Sequence, residues 1–506
     1  MDKILDEIDP FGRFQKFSLF LISCISSFSA ATIYSTIFTT AEPKLFCNNN
    51  KFYNKTILID DKLKCDIWLN LTAQNYSNNC AYDTSYYGST IINEWDLVCD
   101  QKYLSNLTQT FYMIGSFMAI LSGFCGDKFG RKRMILISLI LLFLTLLISQ
   151  VLQITSLNIS FQVKYTIYLI AQTLIGLLTI TLYCLSYVLL LEITTNRYHV
   201  LFSNIMLYAY VLGEIFVLIV AYFSKDWKII NWFLTVYSFI LIIPCALYLK
   251  ESPRLLARRF KYDDAILIIK DISKINGHFD KFDNDQEENY KQMLIQENRV
   301  KIENFRSQKV NFFDEFLLSK KLFVQAILLS YVWISLNLLY YGVTLGITEY
   351  NSSINPYVTY LFSSIAEALG YTICFLNNKY GRRKTNIVYL LITGIVCLIV
   401  CFIPYLKAYL FNHEVIFIVV LTLIGKCFAA SSYNTCYMYS SELYKSNIRS
   451  SALLFLSSFG RIGSLIAPQI NLLGSVIWKQ LPYIIFSIAA IFSSFSVFLL
   501  PENNLD

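Results

Sequence analysis

Four ionisable residues stand where ionisable residues are rare. Glu214, Glu367, Lys426 and Arg461 each lie inside an apolar run long enough to cross a bilayer. A charge at such a depth is costly, so these residues are expected to face one another or a water-filled cavity. Two of them could form a structural ion pair within a helix bundle. Alternatively, the four could line a central pocket of mixed charge that receives a small ion. Arg461 sits in Ser457-Ser458-Phe459-Gly460-Arg461-Ile462-Gly463-Ser464. Ser457, Arg461, Ser464 and Pro468 fall at i, i+4, i+7 and i+11, which makes one small, polar helix face. That face is expected to border water rather than lipid. Trp333 and Tyr340 are seven residues apart, two helical turns, and share a face as well. An aromatic face can hold an ammonium by cation–π attraction or stack on a planar anion.

A second set of charges marks turns. Gly123-Phe-Cys-Gly-Asp127-Lys-Phe-Gly130-Arg131-Lys132-Arg133 separates two apolar runs. Four cations, a carboxylate and three glycines cannot lie in hydrocarbon, so this is a tight, water-facing turn between helices. A weaker copy, Asn378-Lys-Tyr-Gly381-Arg382-Arg383-Lys384, follows 251 residues later. Glu192 with Arg197 is matched by Glu442 with Arg449, and Glu251 is matched by Glu502, at offsets of 250 and 251 residues. Three pairs at one spacing argue for two homologous halves in parallel orientation, an arrangement found in secondary transporters. Asp127, Arg131, Glu192, Arg197, Arg382, Glu442 and Arg449 are therefore the candidate gate residues. Asp127 and Arg131 are expected to pair when the carrier faces outward.

The elements that must position these residues are helices in a membrane. The chain of 506 residues is 55% hydrophobic and 15% charged, against about 25% charged in soluble domains. Spans are expected at 16–41, 105–125, 134–153, 165–190, 201–223 and 229–249, then at 322–346, 355–377, 385–405, 414–438, 450–474 and 481–500. The fold class is thus an all-α membrane protein of twelve spans in two six-helix pseudo-symmetric halves. The first run has an acidic, amphipathic start and no small-residue cleavage site, so it reads as a retained helix. The expected division is 1–249 for the first half, 250–321 for a cytoplasmic linker with amphipathic helices, and 322–506 for the second half. Cations collect in the short turns Lys128 to Arg133 and Lys379 to Lys384, whereas the loops 347–354 and 406–413 hold one lysine between them. That asymmetry places both termini in the cytoplasm.

Residues 42–104 form a long outer loop with Cys47, Cys65, Cys80 and Cys99 and with sequons at Asn54, Asn70 and Asn75. Cysteines and sequons together imply an oxidising, extracellular face, two disulfides with three possible pairings, and glycosylation. No His-rich or Cys-x-x-Cys cluster suggests a metal, and no cofactor is expected. The net charge of +7 is modest and needs no nucleic-acid partner. No Walker A loop and no catalytic constellation are present, which argues against an ATP-driven pump or an enzyme.

With these motifs the chain resembles the major facilitator superfamily. Within it, the chain is similar to the organic cation, organic anion and carnitine transporter family. The resemblance rests on Gly12-Arg13-Phe14-Gln15, Asn93-Glu94-Trp95-Asp96-Leu97-Val98-Cys99, Glu251-Ser252-Pro253-Arg254, Trp333, Tyr340-Tyr341-Gly342 and Tyr439-Ser-Ser-Glu442-Leu443-Tyr444 with Arg449. Gln172, His199 and Asn378 depart from the family's usual Arg, Arg and Asp. The resemblance implies a plasma-membrane, multi-pass carrier of small organic ions that works by alternating access in a lipid bilayer. It also implies that Trp333 and Tyr340 line the cavity, and that Arg461 suits anions or zwitterions such as carnitine, since cation carriers tend to have Asp there. Glu367 resembles the cation branch, so an organic cation carrier is the alternative. A transporter-like receptor that does not translocate and a sugar porter of the same fold are further alternatives. The coupling ion stays open.

Overall fold

The computed structural model describes residues 2–7, 9–41, 45–47, 80–82, 84–98, 101–154, 160–277, 286–296, 320–350, 355–405, 414–444 and 449–502. All twelve expected spans are helical. Those of the first half are Arg13–Thr39, Lys102–Met118 continued by Ile120–Phe129, Arg131–Ile154, Phe161–Glu192, His199–Ser224 and Trp227–Tyr248. Those of the second half are Lys320–Tyr350, Pro356–Ile373, Arg382–Phe402, Glu414–Leu443, Arg449–Val476 and Leu481–Leu499. Ten helices in the described residues are long and apolar enough to cross a membrane by themselves. The second span is interrupted at Ala119, and the eleventh is rich in serine, glycine and Arg461.

The third span shows why such a sequence needs both a core and a lipid solvent. Ile135, Leu139, Leu142 and Leu146 are buried along one face, while Ile137, Leu141, Leu144 and Ile148 are exposed along another. Both rows follow the 3.6-residue period, and both are apolar. A helix apolar all round is a membrane span, with one row packed on protein and the other left for lipid.

Local signals fix where helices begin. Asp226 accepts the N–H of Lys228 at 2.8 Å and starts the sixth span, and Asn355 accepts the N–H of Tyr357 at 3.0 Å ahead of Pro356. These are N-caps, the second strengthened by proline in the first turn. Gly115 and Gly176 let the second and fourth spans touch: a Cβ on Gly115 would collide with the Thr173 carbonyl oxygen. Only backbone without a side chain permits that approach.

Between the halves, linker helices cover residues Pro253–Arg258, Tyr262–Asn276 and 286–296. Ile266, Ile269 and Ile272 are buried and Leu267 is exposed, as an amphipathic pattern requires. The second of these helices docks on the first span, where Asn276 Oδ1 accepts the N–H of Phe14 at 2.9 Å. Phe260 is exposed with φ 61° in the turn between two helices.

Candidate functional site

The fifth span carries Glu214, the eighth Glu367 and the tenth Lys426. The fold brings these three together in the middle of the bundle, although they come from both halves. Lys426 Nζ lies 3.0 Å from Glu367 Oε2 and 3.8 Å from Glu214 Oε2, and all three side chains are 0% exposed. Glu367 Oε1 also accepts the phenol protons of Tyr340 at 2.5 Å and Tyr371 at 2.7 Å. Ser364 Oγ donates to Glu214 Oε2 at 2.6 Å, and Tyr34 donates to the Tyr340 oxygen at 3.1 Å. Lys426 Nζ stands 5.8 Å from the centre of the Tyr34 ring, a further attraction for the buried ammonium.

Below the triad runs an aromatic wall. Tyr340 stacks on Tyr433 with ring centres 5.5 Å apart, and Tyr433 meets Trp333 at 6.0 Å and Tyr437 at 5.4 Å. Trp333 Nε1 donates to Ser440 Oγ at 3.1 Å, which fixes the indole against the tenth span. Trp333 and Tyr340 thus share one wall, joined by the ring of Tyr433.

Arg461 is separate from the triad. Its electrostatic neighbours are Tyr341, Tyr433, Tyr437 and Cys184. Cys184 belongs to the first half and the tyrosines to the second, so Arg461 stands where the halves face each other. Cys184 is nevertheless exposed and Arg461 half-buried, so both border the seam between the halves rather than a sealed core. No carboxylate pairs with Arg461 among the described residues.

Aromatic side chains close the end of the bundle that carries the 42–104 loop, the outer end in the expected orientation. Phe38 and Tyr357 stack at 5.6 Å with ring planes 7° apart, and Phe38 meets Tyr360 at 5.2 Å. The Tyr357 hydroxyl points to the carbonyl oxygens of Tyr86 at 3.1 Å and Ala221 at 3.3 Å. These contacts join the eighth span to the fifth span and the outer loop.

The candidate gate residues form two networks, each within one half. Arg131 pairs with Asp127 at 2.5 Å and with Glu192 at 3.4 Å, and Glu192 also pairs with Arg258. Arg382 pairs with Glu442. Arg197 lies over the ring of Tyr198 at 5.7 Å. The Arg449 side chain lies outside the described residues. Asp127 and Arg131 are paired in this structure. They are four residues apart on either side of Gly130, close enough to meet in any state of the half.

The Glu-Trp-Asp stretch before the second span anchors the outer loop. Glu94 accepts Trp227 Nε1–H at 2.8 Å and Lys228 Nζ at 2.7 Å, and Trp95 packs edge-on to Tyr168 at 5.4 Å. Asp96, at φ 51°, accepts the Tyr82 hydroxyl at 2.8 Å. Strands Leu45–Cys47 and Cys80–Tyr82 pair antiparallel, with Cys47 opposite Cys80. Cys65, Cys99, Asn54, Asn70 and Asn75 lie outside the described residues.

The sequence did not single out Tyr34, Ser364, Tyr371, Cys184, Tyr433 or Tyr437. A signal existed for two of them: Lys426, Tyr433 and Tyr437 fall at i, i+7 and i+11, one helix face. Among the described residues there is no cluster of His, Cys, Asp and Glu fit for a metal.

Comparison with known proteins agrees with this geometry. The profile of the sugar (and other) transporter family matches residues 19–504. "Solute carrier family 22 member 6" of Pseudopleuronectes americanus is 26% identical, over 85% of this chain and 72% of that protein. "Organic cation transporter protein" of Drosophila melanogaster is 26% identical, over 99% and 92%. "Organic cation/carnitine transporter 2" of Mus musculus is 25% identical, over 83% and 71%. The inward open conformation of the xylose transporter XylE from E. coli superposes with a TM-score of 0.66 at 14% identity, covering 96% of this chain and 98% of that one. That likeness shows the major facilitator fold. With its profile matched over nearly the whole length, the chain belongs to the sugar (and other) transporter family: it is a multi-pass membrane transporter and not an enzyme.

Proposed function

We propose that this protein carries small organic ions with a carboxylate group, anions or zwitterions such as carnitine, across the plasma membrane by alternating access. The observation that carries this reading is Arg461, a half-buried guanidinium at the seam between the halves with phenols and a thiol as neighbours and no carboxylate paired to it among the described residues. An arginine at mid-span costs at least about 2.5–3.5 kcal/mol to insert. A substrate carboxylate gripped in bidentate fashion offsets that cost. Trp333, Tyr340, Tyr433 and Tyr437 receive the rest of the substrate, including an ammonium if it has one. Glu367, for which the sequence suggests an ammonium, already holds Lys426, so the aromatic wall takes that role. The relatives named as organic cation and carnitine transporters support an organic-ion substrate. The termini are cytoplasmic in this reading, the outer loop carries two disulfides and glycans, and the Arg131 and Arg382 networks tie down the inner turns as the halves rock.

Uptake of tetraethylammonium, a dicarboxylate and carnitine in the same expressing cells tests the proposal. Carboxylate uptake is expected, and Arg461→Asp should abolish it with folded protein still at the surface. A second reading, an organic cation carrier, is favoured by the surplus carboxylate of the triad. It takes over if the wild type carries tetraethylammonium alone. Counterflow of labelled substrate separates a carrier from a receptor, and labelled hexose uptake would reveal a sugar porter.

A further inference from the structure

The triad does not balance. Glu214 and Glu367 face a single ammonium, and all three side chains are fully buried. With every group ionised, the cluster would hold one uncompensated negative charge away from water. Such a charge costs several kcal/mol even after relaxation.

The hydrogen bonds say which carboxyl is the odd one. Glu367 is the better provided for as an anion: two phenols donate to Oε1, and Oε2, which accepts no hydrogen bond, has the Lys426 ammonium 3.0 Å away. Glu214 has less. Its Oε2 takes Ser364 and a more distant Lys426, while its Oε1 is buried with no hydrogen-bond partner. A buried anionic oxygen without a donor costs more than the oxygen of a neutral carboxyl, which leaves no charge unsolvated.

The helices packed around Glu214 bring no second cation among the described residues. The first span presents Tyr34, the fifth Tyr210, the seventh Tyr340 and Tyr341, and the eighth Tyr360, Tyr371 and Glu367. The tenth presents Lys426, and the eleventh presents Arg461 toward Tyr341 and Tyr433 rather than toward the triad. Phenols supply no positive charge at neutral pH. We propose that Glu214 is a proton-binding site, and that its protonation couples a proton to the carrier cycle.

Geometry gives the coupling a direction. Glu214 is in the first half, whereas Ser364, Glu367 and Lys426 are in the second. Parting the outer ends, which meet at Tyr357 and Phe38, would draw Glu214 away from these partners and toward outside water. There it is an ordinary carboxylate. Closing the outer ends presses it back against Glu367, a step opposed by like charge unless it has taken a proton from the outer solution. One proton is bound as the O–H of Glu214, and no other bond changes. The site above the cavity therefore favours closure over a loaded carrier when the outside is acidic.

This inference rests on the reading of the chain as an organic-ion carrier, but its first test needs no substrate. Infrared spectroscopy of the full-length protein in nanodiscs at neutral pH should show the C=O stretch of a protonated carboxyl, shifted in deuterium oxide. That band should vanish in Glu214→Gln and shift in Ser364→Ala, which removes the donor. If Glu214→Gln does not fold, the Ser364→Ala shift decides. Absence of a carboxyl band in the wild type, or a band indifferent to both variants, overturns the proposal. The second test is uptake of labelled carnitine by proteoliposomes with the membrane potential clamped. An acidic exterior should speed uptake several-fold over symmetric pH in the wild type, and Glu214→Gln should lose that response. Equal rates with and without the gradient would end the coupling claim even with the carboxyl band present. Failure to transport any organic ion would instead remove the function reading, with the infrared result standing.

Discussion

Glu251 reaches from the end of the sixth span to the beginning of the third, where its Oε1 accepts the N–H of Arg131 at 2.7 Å and that of Lys132 at 3.2 Å. The first N–H groups of a helix lack partners within it, and a carboxylate there also faces the positive end of the helix dipole. Gly130 precedes Arg131 at φ 111°, and a Cβ on it would collide with Glu251 Oε2. Glu251→Ala should therefore cost about 1 kcal/mol, the usual loss for a cap. Gly130→Ala should cost more, because it adds backbone strain to a clash. Thermal unfolding in detergent measures both, and an unchanged midpoint for Gly130→Ala would count against this account.

The outer loop has an equivalent anchor in Trp95. Its ring lies edge-on to Tyr168 and, at 6.1 Å, to Trp227, while Glu94 beside it holds Trp227 and Lys228. Trp95 is only partly buried, so Trp95→Ala should cost roughly 2 kcal/mol, less than the ~3–5 of a fully buried tryptophan. Lower surface amount with an unchanged half-saturation concentration is expected, since Trp95 is outside the cavity. A changed half-saturation with normal surface amount would show that the loop acts on the substrate.

Much of this architecture was legible because it follows from short-range rules. The inner turns repeat at a fixed offset, so Arg131 and Arg382 match one another from the order of residues alone. Apolar rows such as Ile135, Leu139 and Leu142 repeat with the helix period. Pairing of the buried charges was not legible. Glu214, Glu367, Lys426 and Arg461 are all isolated in apolar sequence, and nothing local says that Lys426 takes both carboxylates while Arg461 stands apart. That choice depends on how four spans from two halves pack. The tyrosines of the site were hidden for a different reason: the chain has 36, and most are ordinary packing residues.

Tyr357 is expected to hold the outer end shut. It contacts Phe38 of the first span, Tyr222 of the fifth at 5.5 Å and Tyr87 of the outer loop at 5.9 Å. Removing the ring deletes stacking and two carbonyl contacts on one side of a conformational balance. A change of 1–2 kcal/mol corresponds to about a 5–30-fold shift in population. A cysteine placed at Thr344, buried in the seventh span one turn beyond Tyr340, reports it. In the Tyr357→Ala background, an impermeant thiol reagent applied outside should label that cysteine several-fold faster. Equal labelling in both backgrounds would mean that the closure is held elsewhere.

Cys184 offers a direct view of the cavity. It is exposed, sits in the fourth span eight residues before Glu192, and neighbours Arg461, Tyr433 and Tyr437 across the gap between halves. In the proposed orientation, with the outer end closed, the expected route to this thiol is from the inner side. A maleimide reagent should therefore react with Cys184 in inside-out vesicles faster than in intact cells, with Cys184→Ser as the control that identifies the labelled site. A carboxylate substrate seated on Arg461 would cover the thiol, so saturating carnitine should slow labelling severalfold. The protection should disappear in Arg461→Asp, which leaves the thiol in place but removes the grip on the carboxylate. Protection by tetraethylammonium and none by carnitine would instead place a cation against the aromatic wall. Equal labelling with and without every ligand would show that substrate binds away from Arg461.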